Sequence, residues 1–528
     1  MRTVNSLLLA LALAPTVQGQ QRRADARMYV ISLTIPDTGS VIHATAMVVL
    51  GAVAYDTIRL DLEGMQVDSV WRSNGFDYST PTPFSYDGHV ITVVITVPTG
   101  GHIPAGLAIR YHGSPRDGLI IGTSARGRRV AFADNWPQRA RYWIPTIDEP
   151  RDKAVVGFNV GVPASWRVVA NGKAVTPTNW AESHAIPTYT MVIGAGEFTV
   201  SKHRPVINGR DTIPIEVWTY PEDSAFADSV PFRRATEIVE VMQRLIAPFP
   251  YEKLAHVQSS TKFGGMENSS AIFYAEKPYV ERKMREGVVR HETAHQWFGD
   301  AVTERDWPDI WLSEGFATYF DGVIGAALDG DSVLVNAMRA NAEAYFKSDV
   351  TDRPIVDSGY AADPIKLLNA NSYPKGAWVL HMLRGIVGDS GFFRGLRTYY
   401  QTYRDSNATS QDFQHVMERA CNTDLGWFFR QWLHQPGYPQ LEVTWRYDAG
   451  ARRAVVGITQ HQKSEWGVFR LPALTLEFHG PAGAVARRTV AITGRESSLR
   501  VAVPFAPAEI LVDPDGKLLL QTTAAGRR

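Results

Sequence analysis

The chain has 528 residues, with 54 basic and 54 acidic side chains and a formal net charge of zero. Hydrophobic residues at 45% and charged residues at 20% exclude a largely disordered chain, and the charge balance argues against a nucleic-acid binder, which carries a basic excess. The single cysteine, Cys421, excludes an intrachain disulfide.

From the N-terminus, residues 1–19 read as an export signal. Arg2 supplies the positive start, Leu7 to Ala14 is unbroken and apolar, Pro15 ends the run, and the small Gly19 offers a cleavage position. The run is far shorter than the ~20 apolar residues that span a bilayer. No other stretch is long and apolar enough, so stable membrane insertion is not expected. The protein is expected in a periplasm or the medium, folding without disulfides.

Residues 28–200 read mostly as strands. The segments 29–35, 90–97, 154–162 and 189–200 are rich in Val, Ile, Thr and aromatics, with turn residues such as Asn171-Gly172 between segments. The polar stretch 202–211 is the expected domain boundary. After one more strand at 213–219, apolar residues recur at three-and-four spacing over 226–246, 280–298, 310–328, 332–346, 375–387 and 410–420, which predicts helices. Gly437-Tyr438-Pro439 closes this region. Short alternating strands return over 441–521, as expected of a small β-sandwich. Residues 522–528 read as a loose tail.

The chemistry concentrates in His291-Glu292-Thr293-Ala294-His295. On a helix, residues four apart lie about 40° from each other around the axis, so both imidazoles reach one metal ion. Glu292 sits beside that ion, where a base for an activated water belongs. A third ligand is needed, and Glu314 offers it on a second helix starting near Asp309. Two nitrogens and one oxygen favour zinc.

The segments HETAHQWFGD and WLSEGFATYF resemble the M1 family of gluzincin metallopeptidases. Gly264-Gly265-Met266-Glu267-Asn268 is similar to that family's exopeptidase motif, with Gly265 where Ala is usual. Ile144-Pro145-Thr146-Ile147-Asp148-Glu149-Pro150 resembles a family stretch ending in Asp-Glu-Pro, without its Cys, and Tyr373-Pro374-Lys375-Gly376 matches a Tyr-x-Lys-Gly motif. The resemblance implies a multidomain α+β protein: an N-terminal β-saddle domain over 25–210, a thermolysin-like, mainly helical zinc peptidase domain over 211–439, and a C-terminal β-sandwich over 440–521. The stretch after Pro439 has no room for the large helical domain that many members carry, so a more open cleft is expected.

The implied reaction is hydrolysis of the first peptide bond of peptides with a free N-terminus, with one zinc ion per chain. His291, His295 and Glu314 would hold the zinc, and Glu292 would act as general base. Tyr373 would donate a hydrogen bond to the developing oxyanion. Glu267 would pair with the substrate's α-ammonium, and the glycines beside it would let peptide backbone approach. A second amine-binding residue is implied about a dozen positions before Asp148. Within 132–136 the only acid is Asp134, which reads equally as part of a turn-forming Asp-Asn pair. Asp321, seven residues after Glu314, reads either as a support for a ligand histidine or as a solvated helix charge. Competing activities are an endopeptidase, an epoxide hydrolase and a non-catalytic binding protein that keeps the fold.

Overall fold

Burial alternates with a period of two along Ile42–Leu50, where every second side chain is inside. Half-buried strands of this kind form a large sheet with one face against the core. The structure, a computed structural model, describes residues 24–51, 57–72, 80–94 and 106–527. The expected export signal lies outside the described residues.

The strands up to Gly196 build three sheets of eight, four and three strands among the described residues. Ala26–Thr34 sits inside the largest, antiparallel to Ile42–Leu50 and parallel to Lys153–Gly161. The Asp-Glu-Pro stretch anchors this region. Asp148 is buried and accepts from Thr188 Oγ1 at 2.8 Å and Arg141 Nε at 3.1 Å, so its role is structural.

The second region opens with a five-stranded sheet. Its strands are Thr199–Asn208 (β1), Asp211–Thr219 (β2), Leu254–Ser259 (β3), Gly265–Met266 (β4) and Ala271–Ala275 (β5), in the order β1-β2-β3-β5-β4. The expected boundary at 210–211 falls in the turn between β1 and β2, which pair antiparallel. The passage into this sheet therefore lies before Thr199. The stretch 202–211 resembles a domain boundary in sequence because the outer strand of a sheet carries polar side chains.

The helices follow. Expected helix 226–246 splits into Ser224–Ser229 and Ala235–Leu245, because Pro231 has no N–H to continue the ladder. Expected helix 280–298 shortens to Glu286–His295 (α1). Arg282 ahead of it takes a left-handed conformation with φ of 57°. Trp311–Asp329 (α2) packs against α1. A π-helical turn, Asn371–Lys375, leads into Gly376–Tyr403 (α3), which runs past the predicted end at 387 with a kink at Gly388.

Residues 440–527 form a four-stranded and a three-stranded sheet, with Leu441, Val443 and Trp445 of one and Leu474, Leu476 and Phe478 of the other buried. Gln521–Arg527 pairs parallel to Gln440–Asp448 and is an edge strand, not the loose tail expected. The first two regions are tied by Lys153, whose buried Nζ donates to the carbonyls of Asp300 at 2.8 Å and Ala301 at 3.0 Å. No described helix is long and apolar enough to cross a membrane.

His256 on β3 makes the five-stranded sheet sensitive to acid. It is fully buried, its Nδ1 meets Tyr274 Oη at 2.9 Å, and its ring lies 4.8 Å from that of Phe232. Burial holds its pKa down to about 3. An unfolded histidine titrates near 6.5, so as pH falls below that value only the unfolded chain gains this proton and stability is lost. Between pH 7 and pH 5 this one group removes about 2 kcal/mol. Urea unfolding of the metal-free protein at pH 7 and pH 5 should show a drop that shrinks by that amount in His256→Leu.

Candidate metal centre and active site

Two helices and the π-helical turn meet at the centre. On α1, one turn of helix brings His291 Nε2 and His295 Nε2 to 3.2 Å from each other. Glu314, in the first turn of α2, places Oε2 3.3 Å from each of these nitrogens. Tetrahedral zinc with bonds of ~2.0–2.1 Å separates its donor atoms by about 3.3–3.4 Å, the spacing seen here. Glu314 Oε2 is buried and has no hydrogen-bond partner among the described residues. An orphaned carboxylate oxygen facing two imidazole nitrogens fits a divalent cation. Burial opposes the ionisation of Glu314, but the two imidazoles outweigh it and hold its carboxyl far below the usual range.

His295 and Glu314 are held from behind. Ser313 Oγ lies 2.9 Å from His295 Nδ1, and the carbonyl of Phe298 lies 3.3 Å from the same atom. These contacts suit a protonated Nδ1, which leaves Nε2 free as a ligand. Glu314 Oε1 accepts from Tyr373 Oη at 2.7 Å. The Tyr373 ring also lies parallel to His291, with centroids 6.1 Å apart. Pro374 does not displace Tyr373, because the wide π-turn accommodates it. The close approach depends on two glycines. A Cβ on Gly315 would sit 2.9 Å from the Cα of Gly376, so any side chain there would push Glu314 and Tyr373 apart.

Glu292 and Glu267 both approach His295. One oxygen of each and a His295 ring nitrogen lie within 4.8 Å of one another. Gly265 on β4 leaves the space in which the Glu292 carboxylate rests, since a Cβ there would fall 2.0 Å from its Oε1. Burial raises the Glu292 carboxyl well above its ordinary value, and the neighbouring Glu267 and Glu314 add to the effect. Burial likewise raises Glu267 and the Tyr373 phenol, which keeps the phenol protonated as a donor. Met266 is buried in an aromatic cluster with Trp136 and Trp307, and Gly264 opens onto a cavity beside Glu292. Asn268 is buried, and neither of its side-chain polar atoms has a partner among the described residues.

Asp134 does not join the group. Its buried carboxylate is paired with Arg139 and accepts from the backbone N–H of Lys262 at 3.1 Å. It joins the β-rich region to the segment before β4 and is not a second free acid in the cleft. Asp321 accepts from Arg290 Nε at 2.7 Å, so it secures the neighbour of His291 and not the imidazole itself.

Sequence reasoning missed three buried groups. Ser313 precedes Glu314, and only the fold brings it to His295. Gln296 Nε2 donates to the carbonyl of Glu267 at 2.6 Å and to Asp300 Oδ2 at 2.7 Å, fixing the backbone of residues 264–268 against α1. Glu304 is fully buried, with neither carboxylate oxygen partnered among the described residues, and burial pushes its pKa up to about 8.

The comparisons agree with this geometry. Residues 232–432 match the family model described as Peptidase family M1 domain, and residues 26–190 match the Peptidase M1 N-terminal domain. Among curated proteins, the chain is 32% identical over 329 residues to probable aminopeptidase 2 of Sulfurisphaera tokodaii, covering 58% of this chain and 41% of that protein. It is 29% identical over 406 residues to leucyl aminopeptidase of Saccharolobus solfataricus, covering 70% of this chain and 48% of that protein. The chain spans about half the length of the curated relatives it matches, or less. Among solved structures, an M1 zinc metallopeptidase mutant from Deinococcus radiodurans superposes with a TM-score of 0.68 at 25% identity, covering 79% of this chain and 96% of that one.

The support behind His295 is testable. Ser313→Ala should weaken zinc binding about tenfold, as loss of a ligand's outer hydrogen bond does. Competition with a chromogenic chelator measures this.

Proposed function

Because this chain belongs to peptidase family M1, we propose that it is a zinc-dependent aminopeptidase that hydrolyses the N-terminal bond of peptides. The observation that carries the reading is the placement of Glu292 and Glu267 together beside His295 and the three-ligand set. One carboxylate serves the water and the other serves the substrate's charged end.

His291, His295 and Glu314 would hold one zinc ion per chain. When bound, zinc acts as a Lewis acid toward the scissile carbonyl and lowers the pKa of a water. The chain's own groups do the rest. Glu267 accepts hydrogen bonds from the α-ammonium and so places the first peptide bond next to the ligands. Glu292 takes a proton from the attacking water as its oxygen bonds to the carbonyl carbon. It then passes that proton to the leaving nitrogen as the C–N bond breaks. Tyr373 Oη turns its hydrogen bond from Glu314 to the carbonyl oxygen as charge builds there. Gln296 keeps Glu267 at a constant distance from α1 through this sequence.

The finer architecture follows the same reading: a saddle-shaped N-terminal domain, a thermolysin-like catalytic domain and a C-terminal sandwich built from the last two sheets. The apolar run from Leu7 to Ala14 supports export to a periplasm or the medium.

Two measurements test the activity. Glu292→Gln should retain zinc by metal analysis yet lose at least about a thousandfold in kcat, since proton transfer and water positioning both depend on it. Glu267→Ala should raise KM for peptides with a free amine. N-acetylation should abolish turnover by the wild type, and equal rates on free and acetylated peptides would identify an endopeptidase instead.

A further inference from the structure

A second group of ligand-type side chains lies away from the catalytic centre, where the β-rich region meets the catalytic one. Glu182 and His184 come from Asn179–Pro187, a strand of the eight-stranded sheet, and Glu252 comes from the segment just before β3. One carboxylate oxygen of each glutamate and one ring nitrogen of His184 lie within 4.8 Å of one another. None of the three takes part in the chemistry described above.

Neighbouring donors hold the two carboxylates in place. Glu182 is only 2% exposed, and its oxygens accept from the backbone N–H of His184 at 3.0 Å and from Ser270 Oγ at 3.1 Å. Glu252 Oε1 accepts from the backbone N–H of Ser183 at 3.1 Å and from the hydroxyl of the same serine. Glu252 Oε2 is buried and has no hydrogen-bond partner among the described residues. Two carboxylates this close repel each other unless a proton or a cation stands between them. Burial, and then the charge of Glu252, push the Glu182 carboxyl well above its ordinary value, so without a cation this acid keeps its proton.

Lys253 does not complete the group. Its Nζ donates to the carbonyls of Ala170 at 2.8 Å and Ser270 at 2.9 Å and lies over the Trp180 ring, so its charge reaches Glu182 while its protons go elsewhere. His184 has a partner of its own. Asp405, just beyond α3, places Oδ2 3.5 Å from His184 Nδ1, and its Oδ1 is buried without a partner among the described residues. A carboxylate behind an imidazole fixes the tautomer and raises the basicity of a metal-binding histidine. The His184 side chain is 26% exposed, which leaves a path for an ion to enter.

We propose that Glu182, His184 and Glu252 bind a second divalent cation, one that clasps the β-rich region to the catalytic region and takes no part in hydrolysis. One imidazole nitrogen with two carboxylates suits Zn2+ or Mn2+ better than Ca2+. Binding exchanges a proton for the ion: Glu182 releases its proton to solvent, and both carboxylates become ligands. The inference stands apart from the aminopeptidase reading, since it concerns a different set of residues.

The test uses the full chain with its catalytic zinc already bound, dialysed against Zn2+, Mn2+ or Ca2+ one at a time and then analysed for metal. The wild type should take up one further Zn2+ or Mn2+ per chain, and Glu252→Gln and His184→Gln should each weaken that uptake at least about tenfold. The same ion should raise the urea midpoint of the wild type and leave that of both variants unchanged. A measurement on the wild type alone guards against variants that fail to fold: calorimetric titration in two buffers of different ionisation enthalpy should show about one proton released per ion bound. A metal content that stays at one per chain at about 1 mM free metal overturns the proposal and leaves a proton shared between the glutamates. A second ion that persists at full affinity in both variants, or that binds without releasing a proton, overturns it as well.

Discussion

A buried carboxylate must find positive charge nearby or give up its own, and Glu314 sets this condition for the whole centre. Its Oε2 has only the two imidazole nitrogens in front of it, and its Oε1 takes the Tyr373 hydroxyl. Three elements far apart in sequence must therefore meet within hydrogen-bonding distance. The packing of α2 on α1, the glycine contact between Gly315 and Gly376, and the serine behind His295 all follow from that requirement. Without a cation the group is poorly satisfied. The fold thus holds a site whose best occupant carries two positive charges.

The same logic extends into the cleft. Glu292, Asp300 and Glu304 are all buried within electrostatic reach of the buried Glu267, and Lys153 uses its hydrogen bonds on carbonyl groups. Such an accumulation of acids is unfavourable in an empty cleft and favourable around a cation and an ammonium group. The zero net charge of the chain hides this local field. The molecule is neutral on average, yet it concentrates buried acids beside the three-ligand set.

That His291, Glu292, His295, Glu314 and Tyr373 meet in one place was legible because each belongs to a short motif with a spacing that physics restricts. Ser313 and Gln296 were not, since their partners lie across a turn that no periodicity describes. Asp134 failed for a related reason. Counting back from Asp148 reaches a segment where Trp136 packs against Phe263 and Trp307, and the one acid there is paired with Arg139. Strands β3 and β5 also escaped notice. Each lies almost wholly inside the domain, so the alternation that marks a half-exposed strand is missing. The strand at the very end was hidden by a composition that suggests a tail.

The π-helical turn at Asn371–Lys375 holds a consequence of its own. Such a turn contains one residue more than an α-helical turn, and each α-helical residue advances the chain by about 100°. The extra residue therefore acts as a phase shift between two parts of the molecule. Downstream, α3 keeps the rotation that buries Trp378, Leu380 and Leu383. Upstream, Tyr373 keeps the rotation that faces Glu314. A regular helix through the same segment would satisfy one of these settings and lose the other. The irregular turn lets the core and the Tyr373 hydroxyl be aligned independently along one continuous stretch of chain.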